Sequence, residues 1–254
     1  MATVSASPLS RVEVPMIDMR VALAAASPAI ETHLAEMHAR GHYILGPQVE
    51  TFEREFAAAL GAAEAVGVGT GTAALELCLR AAGIGPGAEV IVPSMTSLFT
   101  AQAVLQCGAR LRIADVHPDD LLLTAETIEQ AGTPATRAVI AVHLYGQPCQ
   151  LAEIADLCQR RNWSLIQDAC QAHGSFFEGK PLTHYSPYCA YSFYPTKNLG
   201  ALGDGGAVVT SDPEVARRIR LLRDGGRLGT QVCQAAALNS RLDAMQACYL
   251  RAFL

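Results

Sequence analysis

Charge is scarce in this chain of 254 residues: 17% are Asp, Glu, Lys or Arg, the net charge is −5, and no block of like charge occurs. That removes the electrostatic footprint that nucleic acid or an anionic membrane surface requires. Paired cysteine motifs are missing as well. The eight cysteines, at 78, 107, 149, 158, 170, 189, 233 and 248, are scattered through apolar periodic segments without one C-x-x-C pair. Zinc and thioredoxin-like readings fail on that spacing, and buried thiols in a reducing cytoplasm are expected instead. No apolar run approaches the ~20 residues of a membrane span. The run at 21–26 is too short for the core of a signal peptide and is preceded by charge. Low-complexity linkers and internal repeats are absent too, so the chain reads as a soluble, cytoplasmic protein with a small, polar, frayed start at 1–10.

Hydrophobic residues, in contrast, make up half of the chain. A chain of this length buries roughly 70–75% of its unfolded surface, enough for one large domain. After the punctuation at Gly46-Pro47, Val49, Phe52, Phe56 and Leu60 recur at helical spacing and Gly61 ends the stripe. Short apolar runs then alternate with amphipathic segments. Strands are expected at 65–68, 90–92 (ending at Pro93), 110–114, 138–142 and 164–167, the last closing at Asp168. Helices are expected after Gly71, at 97–107, from an N-cap at Thr124 to Ala131 with Thr127 in place of the capping-box Glu, and through Leu151, Ile154, Ala155 and Cys158. Continuous apolar strands between such helices predict an α/β fold, a mostly parallel sheet covered on both faces. Sites in these sheets form at the carboxyl ends of strands.

One stretch stands out there. An apolar strand at 189–193 stops at Pro195, and Lys197 follows on a turn dense in glycine: Gly200, Gly203, Gly205 and Gly206. These glycines either take positive φ or lie against whatever fills the space before them. Taken singly, a lysine is a solvated charge and Asp204-Gly205 is a hairpin signal. Gly69-Thr70-Gly71-Thr72 is a tight strand-to-helix turn whose free N–H groups suit a phosphate. Its Gly69-x-Gly71-x-x-Ala74 spacing also fits a dinucleotide fingerprint, but the acid at the matching distance, Glu89, precedes its strand and stands at the wrong end. Asp168, singly a turn former, sits at a strand terminus with Gln171 three residues on. Together, an amine, a carboxylate and a phosphate cradle are the set that pyridoxal 5′-phosphate needs. A carboxylate beside the ring nitrogen shifts its pKa by roughly 1–3 units, enough to keep it protonated and electron-withdrawing.

The runs Gly46-Pro47-Gln48-Val49-Glu50, Gly71-Thr72-Ala73-Ala74-Leu75, Val90-Ile91-Val92-Pro93, Val142-His143-Leu144-Tyr145-Gly146, Gln167-Asp168-Ala169-Cys170-Gln171-Ala172-His173-Gly174 and Ser192-Phe193-Tyr194-Pro195-Thr196-Lys197-Asn198-Leu199 resemble the DegT/DnrJ/EryC1/StrS family of sugar aminotransferases. The resemblance covers nearly all of the chain after about residue 20 and implies the fold-type-I, aspartate-aminotransferase-like large domain over 21–254, behind an N-terminal arm at 1–20 expected to be partly disordered. It implies that Lys197 is the catalytic residue joined to the cofactor, that Asp168 pairs with the pyridine nitrogen, and that Gln171 lies beside the ring. Gly71, Thr72 and Ser192 are implied as holders of the phosphate, and Asn239 of Asn239-Ser240-Arg241 as a reach into the partner subunit, hence a homodimer. Two departures stand out. Ser97 occupies the place of a ring-stacking aromatic, a contact worth about 0.5–1.5 kcal/mol. The sequence ends at Leu254, where the family continues into a small C-terminal domain, so that domain is expected to be truncated or missing.

The implied activity is transfer of an amino group from glutamate or glutamine to a keto sugar, nucleotide-linked, in amino-sugar biosynthesis. The alternatives are a family dehydratase, which carries histidine where Lys197 stands, and a non-catalytic remnant that keeps the fold as an interaction or regulatory protein. Tyr43, Phe99 and Tyr145 are read as packing residues in preference to substrate contacts.

Overall fold

A computed structural model describes residues 15, 18–229 and 232–254. The segment expected to fray, 1–10, and most of the arm at 1–20 lie outside the described residues. Helix α1 (Arg20–Arg40) ends at Gly41, whose φ of 66° forms a left-handed cap. Pro47 opens α2 (Pro47–Ala59), where its missing N–H costs nothing, and Val49, Phe52 and Phe56 are buried along one stripe. Strand β1 (Glu64–Val68) leads into α3 (Gly71–Ala81), β2 (Glu89–Pro93) into α4 (Leu98–Gln106), and β3 (Arg110–Ala114) into α5 (Ala125–Ala131). At the start of α5 the Thr127 hydroxyl completes a reciprocal capping box with Thr124. Then come β4 (Thr136–Val142), α6 (Leu151–Arg161), β5 (Ser164–Asp168), a two-residue hairpin of β6 (Phe176–Phe177) and β7 (Lys180–Pro181), and β8 (Cys189–Ser192). The described chain closes with β9 (Gly206–Thr210), α7 (Pro213–Arg223) and α8 (Ala244–Phe253). No described helix is long and apolar enough to cross a membrane.

Seven strands form one sheet in the order β1-β9-β8-β5-β4-β2-β3. All run parallel except β9, which is antiparallel to both neighbours. Helices cover both faces, as the alternation along β4 shows: Val139 and Ala141 join one apolar cluster with α2, α6 and α8, while Ala138, Ile140 and Val142 join the other with α3 and α7. The expectation of uninterrupted buried strands fails at β3. Its Arg-Leu-Arg-Ile-Ala sequence forms an edge, with Ile113 60% exposed and only Ala114 buried. Edge strands that carry charge resist pairing with a second sheet.

Beneath the later strands Phe52, Phe56, Tyr191 and Phe193 meet largely edge-to-face at centroid distances of 5.1–5.5 Å. This links α2 to the strand that delivers the lysine turn. A buried ion pair between Glu53 and Arg223 links α2 to α7, and both ends reach β1: Glu53 accepts from the Gly67 N–H at 2.8 Å and Arg223 donates to the Gly67 carbonyl at 2.7 Å.

Candidate functional site

The carboxyl ends of β1, β4, β5 and β8 surround one cavity of about 500 Å³, open at the sheet edge where α3 and α4 begin. Gly71, Thr72, Ser97, Asp168, Gln171, Ser192 and Lys197 all line it. Residues 168 and 197, far apart in sequence, therefore face the same space. Asn239 does not line it. That residue is exposed on the segment before α8 and forms an isolated bridge with Asp224.

Thr70 caps α3, its hydroxyl accepting the Ala73 N–H at 3.0 Å. The N–H groups of Gly71 and Thr72 in the first turn have no acceptor within the helix, which leaves an anion cradle at a positive dipole end. Gly71 is glycine for a different reason: a Cβ there would stand 2.6 Å from the Ser192 Cβ, so β8 lies against the turn. The Ser192 hydroxyl accepts the Tyr194 N–H at 3.3 Å. The loop at 193–205 closes on itself through Lys197 N–H to the Tyr194 carbonyl at 2.9 Å and Ala201 N–H to the Phe193 carbonyl at 2.8 Å. Gly200, Gly203, Gly205 and Gly206 do not take positive φ. Close approach explains them instead, since a Cβ on Gly200 would lie 2.4 Å from the Pro195 carbonyl oxygen and one on Gly206 would lie 2.5 Å from Thr70. Asp204-Gly205 does not form a tight hairpin either. It ends the long connection between antiparallel β8 and β9, and Asp204 lines the cavity.

Lys197 is half-buried, and its amine has no ion-pair or side-chain hydrogen-bond partner among the described residues. Opposite it, Asp168 is 5% exposed and held from two sides: Thr100 Oγ1 donates to Oδ2 at 2.8 Å and the Cys170 N–H donates to Oδ1 at 3.2 Å. Gln171 is oriented by the Tyr145 N–H, which donates to its Oε1 at 2.8 Å and leaves the amide NH₂ free to donate. Tyr145 adopts φ of 54° to do so, a conformation uncommon outside glycine. At the end of β4, His143 is fully buried, and burial pushes its pKa down to about 4. The Cys149 N–H donates to its Nδ1 at 3.2 Å, so Nε2 carries the proton toward Gln167 Oε1 at 3.1 Å. His173 is likewise pushed down to about 4 by burial; it packs on Tyr191, and neither ring nitrogen makes a well-formed hydrogen bond among the described residues.

Tyr43, Phe99 and Tyr145 are not packed as expected: they are 51%, 58% and 81% exposed, and Phe99 lines the cavity beside Ser97, whose hydroxyl caps α4. Glu89 sits at the start of β2, bound by the hydroxyls of Thr133 and Thr136 at 2.7 and 3.1 Å, remote from the glycine turn as its sequence position implies. Thr96 and Thr100 line the cavity without having stood out in sequence, and Asp204, read there only as a turn signal, lines it too. The spacing of four between Thr96 and Thr100 at a helix start was the available signal.

A profile of the DegT/DnrJ/EryC1/StrS aminotransferase family matches residues 26–254. The chain belongs to that family. It is 44% identical over 238 residues to dTDP-3-amino-3,4,6-trideoxy-alpha-D-glucose transaminase of Streptomyces venezuelae, covering 94% of this chain and 63% of the relative. It is 43% identical to UDP-N-acetyl-3-dehydro-alpha-D-glucosamine 3-aminotransferase of Acidithiobacillus ferrooxidans, covering 94% of this chain and 65% of that one. Among solved structures, S. venezuelae DesV in complex with a ketimine intermediate superposes with a TM-score of 0.91 at 43% identity, over 94% of this chain and 65% of DesV. The chain thus spans a little under two thirds of the length of these DegT/DnrJ/EryC1/StrS relatives. The family cofactor is pyridoxal phosphate, and NtdA from Bacillus subtilis, similar at a TM-score of 0.86 and 28% identity, was solved with bound cofactor PMP. The donor set here fits that group: an amine and a buried carboxylate that have no ion-pair partner among the described residues, and N–H groups at a helix start bordered by two hydroxyls.

Proposed function

We propose that this chain is the cofactor-binding part of an aminotransferase that moves an amino group from an amino acid, glutamate or glutamine, to a keto sugar carried on a nucleotide. The observation that carries the reading is the shared cavity of Lys197 and Asp168, with the N-terminus of α3 bordering it. The relatives' names, which specify dTDP- and UDP-linked amino sugars, support the substrate class.

Pyridoxal phosphate, when bound, supplies a carbonyl for amine exchange and an electron-withdrawing ring that acidifies a neighbouring C–H bond. In this reading the Gly71 and Thr72 N–H groups with the Thr72 and Ser192 hydroxyls hold the phosphate, and Asp168 keeps a proton on the ring nitrogen. Gln171 donates its amide to the ring's polar edge. The Lys197 amine, on a loop stiffened by its own hydrogen bonds, would anchor the cofactor and, once released, serve as the general base that moves a proton at the substrate carbon. Asn239, exposed and outside the cavity of its own chain, is read as reaching the site of a second copy, in a homodimer with shared sites.

The chain has two lysines, Lys180 and Lys197, which makes the test simple. Borohydride reduction of the cofactor-loaded protein should fix the cofactor mass on the Lys197 peptide, and Lys197→Ala should take up none covalently. Labelling of Lys180, or of neither, would count against the assignment. A loaded chain that fails to exchange its amine with glutamate would favour the non-catalytic alternative.

A further inference from the structure

We infer that Thr100, backed by Thr96, is a positioning residue for the cofactor: a one-way hydrogen-bond relay, Thr96 to Thr100 to Asp168, aims the carboxylate that meets the ring nitrogen. The inference rests on the proposed role of Asp168.

The direction of the relay follows from proton counting. A carboxylate accepts and does not donate, so the single hydroxyl proton of Thr100 is committed to Asp168 Oδ2 at 2.8 Å. The contact of 2.8 Å between Thr96 Oγ1 and Thr100 Oγ1 must then be donated by Thr96. Thr100 is 1% exposed, so water cannot replace either bond. Its backbone is fixed as well, with its N–H on the Ser97 carbonyl at 3.0 Å in the first turn of α4. The Cys170 N–H takes Asp168 Oδ1. The carboxylate is thereby clamped at both oxygens by elements that are not neighbours in the sheet: α4, after β2, reaches past β4 to the end of β5. This buried hydroxyl, whose polar partners among the described residues are Asp168, 68 positions away in sequence, and Thr96, sits where valine would fill the same volume, so its use is the hydrogen bond and not packing. Cooperative donation into Thr100 strengthens its own donation to the carboxylate.

The relay makes the first turn of α4 a cofactor support as well as a cavity wall. Losing it leaves Asp168 held by the Cys170 N–H alone, less firmly aimed and less able to hold the ring nitrogen protonated. With pyridoxal phosphate bound, the Lys197 nitrogen would then hold its proton to higher pH, because a weaker proton on the ring nitrogen would draw less charge from it.

The test uses the 254-residue chain, with pyridoxal phosphate as the probe, in wild type, Thr100→Val, Thr100→Ser and Thr96→Val. Thr100→Val should weaken cofactor binding about ten- to hundred-fold, the loss expected when a charged acceptor is deprived of its donor. It should also move the pH midpoint of the bound cofactor's visible band upward. Thr96→Val should do the same to a smaller degree, and Thr100→Ser should return both readouts to near wild type. Valine and serine variants weakened alike would assign Thr100 to packing and overturn the relay, as would a valine variant with an unmoved midpoint. If Thr100→Val does not fold, Thr96→Val and Thr100→Ser decide: an unmoved midpoint in Thr96→Val, or failed rescue by serine, overturns it. Wild-type protein that forms no Lys197-dependent band would overturn the cofactor reading itself, and the relay with it.

Discussion

Gly206→Ala tests whether the proposed cofactor cradle is built by backbone contact. Gly206 opens β9 and lies against the turn between β1 and α3; a Cβ there would stand 2.5 Å from the Thr70 carbonyl carbon and oxygen and 2.8 Å from the Gly71 nitrogen. All three are main-chain atoms, so no side chain can swing away. Ordinary contact begins near 3.4 Å, which requires a shift of nearly 1 Å in either β9 or the turn. β9 is paired on both edges, with β1 and β8, so the turn is the part that yields. Overpacking of this kind costs about 1–3 kcal/mol, and the lower chain entropy of alanine in the unfolded state returns about 0.4–1 kcal/mol. The net loss is therefore centred on ~1.3 kcal/mol, a fall in Tm of roughly 3–5 °C for a domain of this size. Because the yielding turn carries Thr70 and Gly71, pyridoxal phosphate binding should weaken alongside. Gly85→Ala is the control: its φ is not positive and its added Cβ would meet only the Cys107 carbonyl oxygen, at 3.6 Å. Thermal melts with and without cofactor read both effects. A Gly206→Ala protein that melts within 1 °C of wild type and binds cofactor equally would refute the close-approach argument.

Two further outcomes follow from buried charge. His143 and His173 sit near pKa 4 because burial disfavours the charged ring, against 6.5 when unfolded. The neutral-ring stability is present above pH 6.5 and is lost as pH falls toward 4, up to about 3 kcal/mol for each; urea midpoints at pH 7.5, 6 and 4.5 should fall in that order. On the alkaline side, Cys107, Cys149 and Cys158 are pushed up to about 12 by burial, so stability should also decline above pH 9, where the unfolded thiols ionise and the folded ones do not. Arg223→Met should cost roughly 3–5 kcal/mol by leaving Glu53 buried with only Arg220, at 3.7 Å, as counterion. The double variant Glu53→Leu/Arg223→Met should recover most of that loss in chemical denaturation, and a double variant no better than the single one would argue that the pair is not coupled.

Local chemistry wrote much of this fold into the sequence. Proline at a helix start, glycine at a helix end, a threonine cap and runs of period 2 or 3.6 act within a few residues, so the bounds of α2, α5 and β5 and the start of α3 could be read directly. The gathering of Gly71, Asp168 and Lys197 was legible too, because parallel strands deliver their carboxyl ends to one edge. Contacts between distant segments were not. The reversal of β9, the exposure of Tyr43, Phe99 and Tyr145, and the edge position of β3 depend on which element lies beside which. The turn glycines were visible as glycines, but only the apposition of β9 to Thr70 decided that they serve close approach and not left-handed backbone. The Thr100 hydroxyl on Asp168 joins residues 68 positions apart, and no periodicity encodes such a pairing. The sequence by itself set which residues could meet a cofactor, through strand ends and turn chemistry. Tertiary structure decided how the carboxylate is aimed, because hydrogen-bond direction exists only once donor and acceptor share a space.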